Sequence, residues 1–190
     1  GNTYSKETLL ALKEALKKYN VAIPWYIMTS NENNEDTIRF FEEKNYFGYP
    51  KDFVKMFFKQ SELPMLDEEG KLIINEDGII KEAADGHGGV FEAMFKNGVL
   101  KEMKENGIEW IFIGGVDNVL VKMADPLFIG FAAANSYMAA SKTLEKAYPE
   151  EKVGVFCKKD GKPYVIEYTE ISDEMANERN EKGELVYAES

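Results

Sequence analysis

Trp110-Ile111-Phe112-Ile113-Gly114-Gly115-Val116-Asp117-Asn118 is the stretch on which the fold turns: an unbroken apolar run leads into two glycines and an acidic residue. A strand buried on both faces reads as such a run, because neither set of alternating side chains meets water. Working outward, Asn106-Gly107 just before it reads as a left-handed helix stop. Upstream, Asp85-Gly86-His87-Gly88-Gly89 leads into a helix over 90–96. Leu72-Ile73-Ile74 is strand-like, 54–58 and 21–28 are apolar strand candidates, and a helix over 35–44 lies between those two. That helix turns Ile38, Phe41 and Phe40 inward, and Leu9, Leu12, Leu16 and Tyr19 mark an amphipathic helix before it. Downstream, a helix starts near Asp125-Pro126. Segments 153–156 and 164–168 flank Lys159-Asp160-Gly161-Lys162, a hairpin turn sequence. Strands alternating with helices predict a three-layer α/β/α fold with a mixed, mostly parallel sheet. No linker interrupts residues 1–190, which read as one domain.

Composition narrows the function. The 190 residues are 44% hydrophobic and 30% charged, within the globular range. A net charge of −11 argues against a general nucleic-acid or anionic-membrane binder, since polyanions need a basic face. A small anionic ligand needs only a few local amides and cations. One Cys and one His exclude a disulfide framework and argue against structural zinc. No apolar stretch is long enough to span a bilayer, no signal peptide is visible, and the composition fits a cytoplasmic protein.

In open α/β sheets, ligands gather beyond the carboxyl ends of the strands. The glycines at 85–89 would let backbone approach a ligand, although the segment lacks a P-loop's Lys-Ser/Thr ending and also suits a plain tight turn. His87 reads as a hydrogen-bonding neighbour of a ligand rather than a base. Asp117 is placed to hold Mg²⁺, or equally to cap a turn. Glu167 and Glu170, in an extended segment, would point to opposite faces, one of them able to accept from sugar hydroxyls. Phe57, Phe58, Phe91 and Phe95 read as core, and Cys157 as a small buried or half-buried residue.

Taken in order, 23–30, Tyr46-Phe47-Gly48, Phe58-Lys59-Gln60 with Leu63-Pro64, 85–89, 116–126 and 165–171 resemble the eukaryotic-type UDP-sugar pyrophosphorylases. The pattern is most similar to the UDP-N-acetylhexosamine pyrophosphorylases. The resemblance runs from about Ile23 to about Tyr187. It implies a Rossmann-like nucleotide-diphospho-sugar transferase fold, incomplete here. It also implies a uridylyltransferase that joins UTP and a sugar 1-phosphate, with Mg²⁺, to give UDP-sugar and pyrophosphate. N-acetylglucosamine 1-phosphate is the expected sugar substrate, with glucose 1-phosphate or a non-catalytic UDP-sugar-binding piece as the alternatives.

The resemblance further implies that Gln60 reads uracil, that the Gly86 backbone touches the same base, and that Asp117 binds the metal and is catalytic. Gly154 and Glu167 match positions that hold the sugar. His87 stands where the family usually has Asn, approaching the nucleotide sugar or the hexosamine; imidazole lacks the paired donor and acceptor of an amide. Glu170 could share the role of Glu167, and Lys122 could be structural. The family's Gly-rich nucleotide loop lies before the first helix seen here, and a phosphate-gripping Lys lies after Ser190. The chain is therefore expected to be an internal part of a larger enzyme, in which Gln60, Gly86, Asp117 and Glu167 converge on one crevice.

Overall fold

The computed structural model describes residues 2–115 and 121–189, with side chains from residue 9 onward. In chain order, α1 (Asn2–Tyr19), β1 (Trp25–Thr29), α2 (Asn34–Glu43), β2 (Val54–Lys59), β3 (Glu62–Pro64), β4 (Glu82–Ala84), α3 (Val90–Lys96) and α4 (Val99–Glu105) come first. They are followed by α5 (Pro126–Ala134), β5 (Val155–Lys159), β6 (Lys162–Ile166) and α6 (Asp173–Asn177). The chain divides into two compact units, Gly1–Phe128 and Ile129–Ser190.

In the first unit, β1 and β2 pair in parallel through the crossover helix α2. Trp25–Met28 of β1 and Met56–Phe58 of β2 are continuous apolar runs because both faces are covered there, while Lys55 and Lys59 of β2 are exposed. Leu9 and Leu12 of α1, Phe41 of α2, Tyr46, Tyr49 and Val54 form a core against which Trp25, Ile27 and Phe57 pack. Phe58 joins Ala93, Met94, Val99 and Met103 of α3 and α4 in a second core, where Tyr26, Met28 and Met56 pack. Strand β1 thus alternates strictly between the two cores. Strand β2 does so only after an irregularity: Trp25 pairs with Val54 and Tyr26 with Met56. The extra residue, Lys55, moves Phe57 to the face that Val54 occupies. Phe41 sits at the centre of the first core, with edge-to-face rings from Trp25 at 5.5 Å and Phe57 at 5.2 Å.

Residues 62–84 form an arm built from a repeated local device. Asp67-Glu68-Glu69-Gly70-Lys71 and Asn75-Glu76-Asp77-Gly78-Ile79 adopt the same turn: the first side chain accepts two backbone N–H groups through Oδ1. The glycine takes a left-handed φ of +78° or +80°. Asn180-Glu181-Lys182-Gly183-Glu184 repeats it in the second unit. The Asx-Glu-x-Gly pattern is the sequence signal for all of these turns. Leu72-Ile73-Ile74, expected as a strand, instead links the first two through the isolated bridges Leu66–Leu72 and Ile74–Ile80.

The second unit carries the β5–β6 hairpin. Its turn, Asp160-Gly161, has φ of +52° and +76°, the left-handed pair that matches strand twist. Val155 on β5 is fully buried.

The remaining sequence expectations divide. Helices α1, α2, α3, α4 and α5 and strands β1 and β2 lie near where the sequence placed them. The hairpin is present, but its strands close in on the turn, at 155–159 and 162–166 instead of 153–156 and 164–168, because Lys159 and Lys162 pair with each other and leave only Asp160-Gly161 to turn. Trp110-Ile111-Phe112-Ile113 does not form a strand; these residues run as irregular chain, with Trp110, Ile111 and Ile113 substantially exposed. An apolar run becomes a strand only where a neighbour offers backbone partners, and the described residues pair none with it. Phe91 and Phe95 are exposed rather than core. Being four apart they share one face of α3, while Ala93 and Met94 take the face against β2. Cys157 is half-buried, as expected.

Candidate uridine-reading and sugar-holding residues

Gln60 follows β2, and its backbone N–H donates to the Thr29 carbonyl at 2.8 Å, continuing the parallel ladder by one residue. From there the chain enters β3, which pairs antiparallel with β4 so that Glu62 faces Ala84. One step on, the Asp85 N–H donates to the Ser61 carbonyl at 3.1 Å. One step further, the same register sets Gln60 opposite Gly86, and the Gln60 Nε2 donates to the Gly86 carbonyl at 2.9 Å. Two residues 26 apart in sequence are thus joined by strand register. Gly86 has φ +79° and ψ −177°, a backbone conformation that only glycine adopts readily.

His87 opens a short 3₁₀ turn, 87–89, leading into α3. It lines an apolar cavity of about 430 Å³ in the first unit, together with Tyr26, Met28, Met94 and Trp110. Gly114, Gly115, Met123 and Ala124, on either side of 116–120, line the same cavity. Asp117, the expected metal ligand and catalytic residue, lies outside the described residues. Lys122 pairs with Asp125 at 3.4 Å. Asp125 is buried and also accepts the Leu127 N–H at 3.2 Å, at the start of α5.

Two side chains of this region lie inside motifs of the sequence that assign them no individual role. Tyr26 lines the cavity, and its hydroxyl donates to the Glu102 carboxylate of α4. Burial, then that hydrogen bond and the carboxylate's charge, push the phenol well above its ordinary value. Asp85 is the other. Its carboxylate lies where a Cβ on Gly89 would fall, 2.1–2.2 Å away, so a side chain at 89 would make the Asp85 carboxylate swing aside, although the backbone angles of Gly89 are ordinary helical ones. The Asp85 Oδ1 is buried with no hydrogen-bond partner among the described residues.

In the second unit, Gly154 and Glu167 are brought together. A Cβ on Gly154 would lie 3.4 Å from the Glu167 Oε2 and 3.0 Å from Val165 Cγ1. The absence of a side chain at 154 therefore leaves room beside the carboxylate. The extended course expected for 164–171 stops at Ile166, where β6 ends. The chain then turns: the Glu167 carbonyl accepts the N–H groups of Glu170 and Ile171 at 2.8 and 3.1 Å. The Glu170 carboxylate accepts the Glu167 N–H at 3.3 Å. The two glutamates are partners in one turn, not opposite faces of a strand. Backbone groups left unpaired by the end of the strand are satisfied in this way.

A model of the UTP–glucose-1-phosphate uridylyltransferase family matches residues 2–187. The chain belongs to this family. Within it, the chain is similar to a mouse protein named UDP-N-acetylhexosamine pyrophosphorylase-like protein 1, with 43% identity over 165 residues, 87% of this chain and 32% of that one. It is similar to the UDP-N-acetylglucosamine pyrophosphorylase of Saccharomyces cerevisiae, with 40% identity over 180 residues, covering 94% of this chain and 38% of the yeast protein. The crystal structure of the uridine diphosphate N-acetylglucosamine pyrophosphorylase from Trypanosoma brucei, in complex with an inhibitor, superimposes with a TM-score of 0.84. That match has 36% identity and covers 97% of this chain and 38% of the trypanosomal one. The 190 residues thus span about a third of the length of these uridylyltransferase-family relatives and share their mixed α/β fold.

Proposed function

We propose that this chain supplies the uridine-reading and sugar-holding parts of a uridylyltransferase. The whole enzyme would join UTP and N-acetylglucosamine 1-phosphate to give UDP-N-acetylglucosamine and pyrophosphate. The observation that carries this reading is the fixed amide of Gln60. Its Nε2 is committed on one side to the Gly86 carbonyl, so the amide cannot exchange its nitrogen and oxygen without losing that bond. The second N–H and Oε1 then face a ligand in one order, donor beside acceptor. Uracil's imide edge offers a carbonyl beside an N–H and fits this order; cytosine held in the same orientation would set its amine against the amide N–H and its bare ring nitrogen against Oε1, and would not. The names of the relatives at 43% and 40% identity favour an N-acetylhexosamine over glucose.

In the reaction, an oxygen of the sugar phosphate attacks the α-phosphorus of UTP in line. The new P–O bond forms as the bond to the bridging oxygen breaks, and pyrophosphate leaves with that electron pair. No bond to the protein is needed, so catalysis here is positioning and charge neutralisation. Gln60 and the Gly86 turn orient the uridine. His87 would border the nucleotide sugar, and Glu167, beside the open space at Gly154, would accept from hexose hydroxyls. Mg²⁺ would offset phosphate charge. It is ordinarily held by one or two carboxylates together with substrate phosphates. Among the described residues no three His, Cys, Asp or Glu side chains come together. By its match to the family motif, Asp117 would be this chain's contribution, with substrate phosphates as further ligands.

Both units are read as parts of one nucleotidyltransferase domain of a cytoplasmic enzyme. Its finished sheet would be the centre of a three-layer α/β/α fold. Two features of the first unit support an unfinished sheet: among the described residues β1 pairs with β2 alone, and the apolar segment 110–113 lines the same cavity as Trp25, Tyr26 and Met28.

Calorimetric titration of the chain with UDP-N-acetylglucosamine, UDP-glucose and CDP-glucose, followed by an assay for pyrophosphate release, tests the proposal. Weak binding of the uridine compounds, preference for the N-acetyl sugar and no turnover by these residues alone are expected. Equal binding of the cytidine compound would refute the role of Gln60. Preference for UDP-glucose would move the sugar assignment to glucose.

A further inference from the structure

The strand edge that carries Gln60 is capped by a side chain from another element. Among the described residues, four asparagines at or just past helix ends, Asn97, Asn106, Asn135 and Asn177, donate Nδ2 to the carbonyl four residues earlier. This is an ordinary way to satisfy a helix's last carbonyls. Asn97 does something more. Its second N–H donates to the Lys59 carbonyl at 3.2 Å, reaching from the end of α3 to the end of β2. The amide's two hydrogens allow both bonds at once.

The Lys59 carbonyl and the Gln60 N–H belong to one planar peptide unit and point in opposite directions. The N–H side is held by the Thr29 carbonyl at 2.8 Å. Among the described residues β2 has no strand on its other edge. Asn97 takes the place of that strand and holds the carbonyl side. With the Nε2 bond to Gly86, Gln60 is therefore anchored on three sides, by β1, by α3 and by the Gly86 turn.

We infer that Asn97 is a positioning residue for base recognition, holding the peptide plane before Gln60 so that its amide meets uracil and not cytosine. This rests on the uridine reading of Gln60. It assigns a selectivity role to a residue that touches no nucleotide.

Affinities of the 190-residue chain for UDP and CDP, measured by calorimetry on the parent, Asn97→Ala, Gln60→Ala, the double variant and Asn135→Ala, test it. Loss of one hydrogen bond predicts about a five- to tenfold fall in the UDP:CDP preference of Asn97→Ala. No further fall is expected in the Gln60→Ala background, because the effect passes through Gln60. Asn135→Ala breaks the same kind of helix-end bond away from the site and should leave the preference at the parent value; a merely structural role for Asn97 would make the two variants alike. An unchanged preference in Asn97→Ala, with Gln60→Ala losing it, overturns the role of Asn97 alone. A preference retained by Gln60→Ala, or absent from the parent, overturns the uridine reading beneath it. Should Asn97→Ala not fold, the parent protein still decides. A through-hydrogen-bond coupling from the Asn97 side-chain nitrogen to the Lys59 carbonyl carbon is expected in its NMR spectrum, and a missing coupling overturns the inference.

Discussion

Replacing Tyr49 with phenylalanine isolates one oxygen atom that shapes the entry to β1. The ring of Tyr49 is buried in the first core. Its hydroxyl donates to the Ile23 carbonyl at 2.7 Å and accepts the Ile23 N–H at 2.9 Å. Both backbone groups of one residue are thus satisfied by a single side chain 26 residues away. Tyr49→Phe keeps the packing and orphans both groups. A buried group left unpaired costs about 1–3 kcal/mol. Ile23 is only partly buried, so water recovers some of the loss, and about 2 kcal/mol in total is expected. Both tryptophans, Trp25 and Trp110, lie in the first unit, so their fluorescence reports its unfolding in urea. With a slope of about 2 kcal/mol per molar urea, the midpoint should fall by about 1 M at unchanged slope.

The exposed Tyr19 serves as control, and Tyr19→Phe should stay within about 0.5 kcal/mol of the parent. A Tyr49→Phe midpoint within about 0.25 M of the parent would refute the reasoning, since at the same slope it corresponds to about 0.5 kcal/mol. Alkaline pH gives a second check. Burial holds the Tyr49 phenol above its ordinary value, against a smaller opposite effect from its hydrogen bond with the Ile23 backbone. The unfolded chain then loses its proton first, near pH 10, while the folded chain keeps it. Stability supplied by the neutral phenol is present below about pH 10 and is lost as pH rises beyond it. Tyr49→Phe should flatten that decline, and a parallel pH profile would contradict it.

Two predictions concern the reaction. In the full-length enzyme, Asp117→Asn should cut turnover far more than it weakens uridine binding; activity within about a factor of two, worth only a few tenths of a kcal/mol, would remove Asp117 from metal binding. His87→Asn supplies the paired amide donor and acceptor that imidazole lacks and should raise the preference for UDP-N-acetylglucosamine over UDP-glucose several-fold, about 1 kcal/mol; an unchanged ratio by calorimetry would place His87 away from the sugar.

Local chemistry made much of this protein legible from its sequence. The 3-4-3 spacing at Leu9, Leu12, Leu16 and Tyr19 marked α1, and Asn106-Gly107 marked the end of α4, where Gly107 has φ +68°. Asp160-Gly161 dictated the hairpin. Each depends on residues within one turn or strand, so the signal survives in one dimension. The ordered motifs also carried the family. Tertiary structure decided what depends on distant partners. Apolar character alone could not make 110–113 a strand, because a strand exists only with a neighbour. The face taken by Phe91 and Phe95 depended on what packs against α3. The meeting of Gln60 with Gly86 came from the β3–β4 register, set by an arm whose turns lie between them in sequence. Asn97 closes α3 with its bond to the Ala93 carbonyl, and only the packing of α3 beside β2 brings its second N–H to the Lys59 carbonyl.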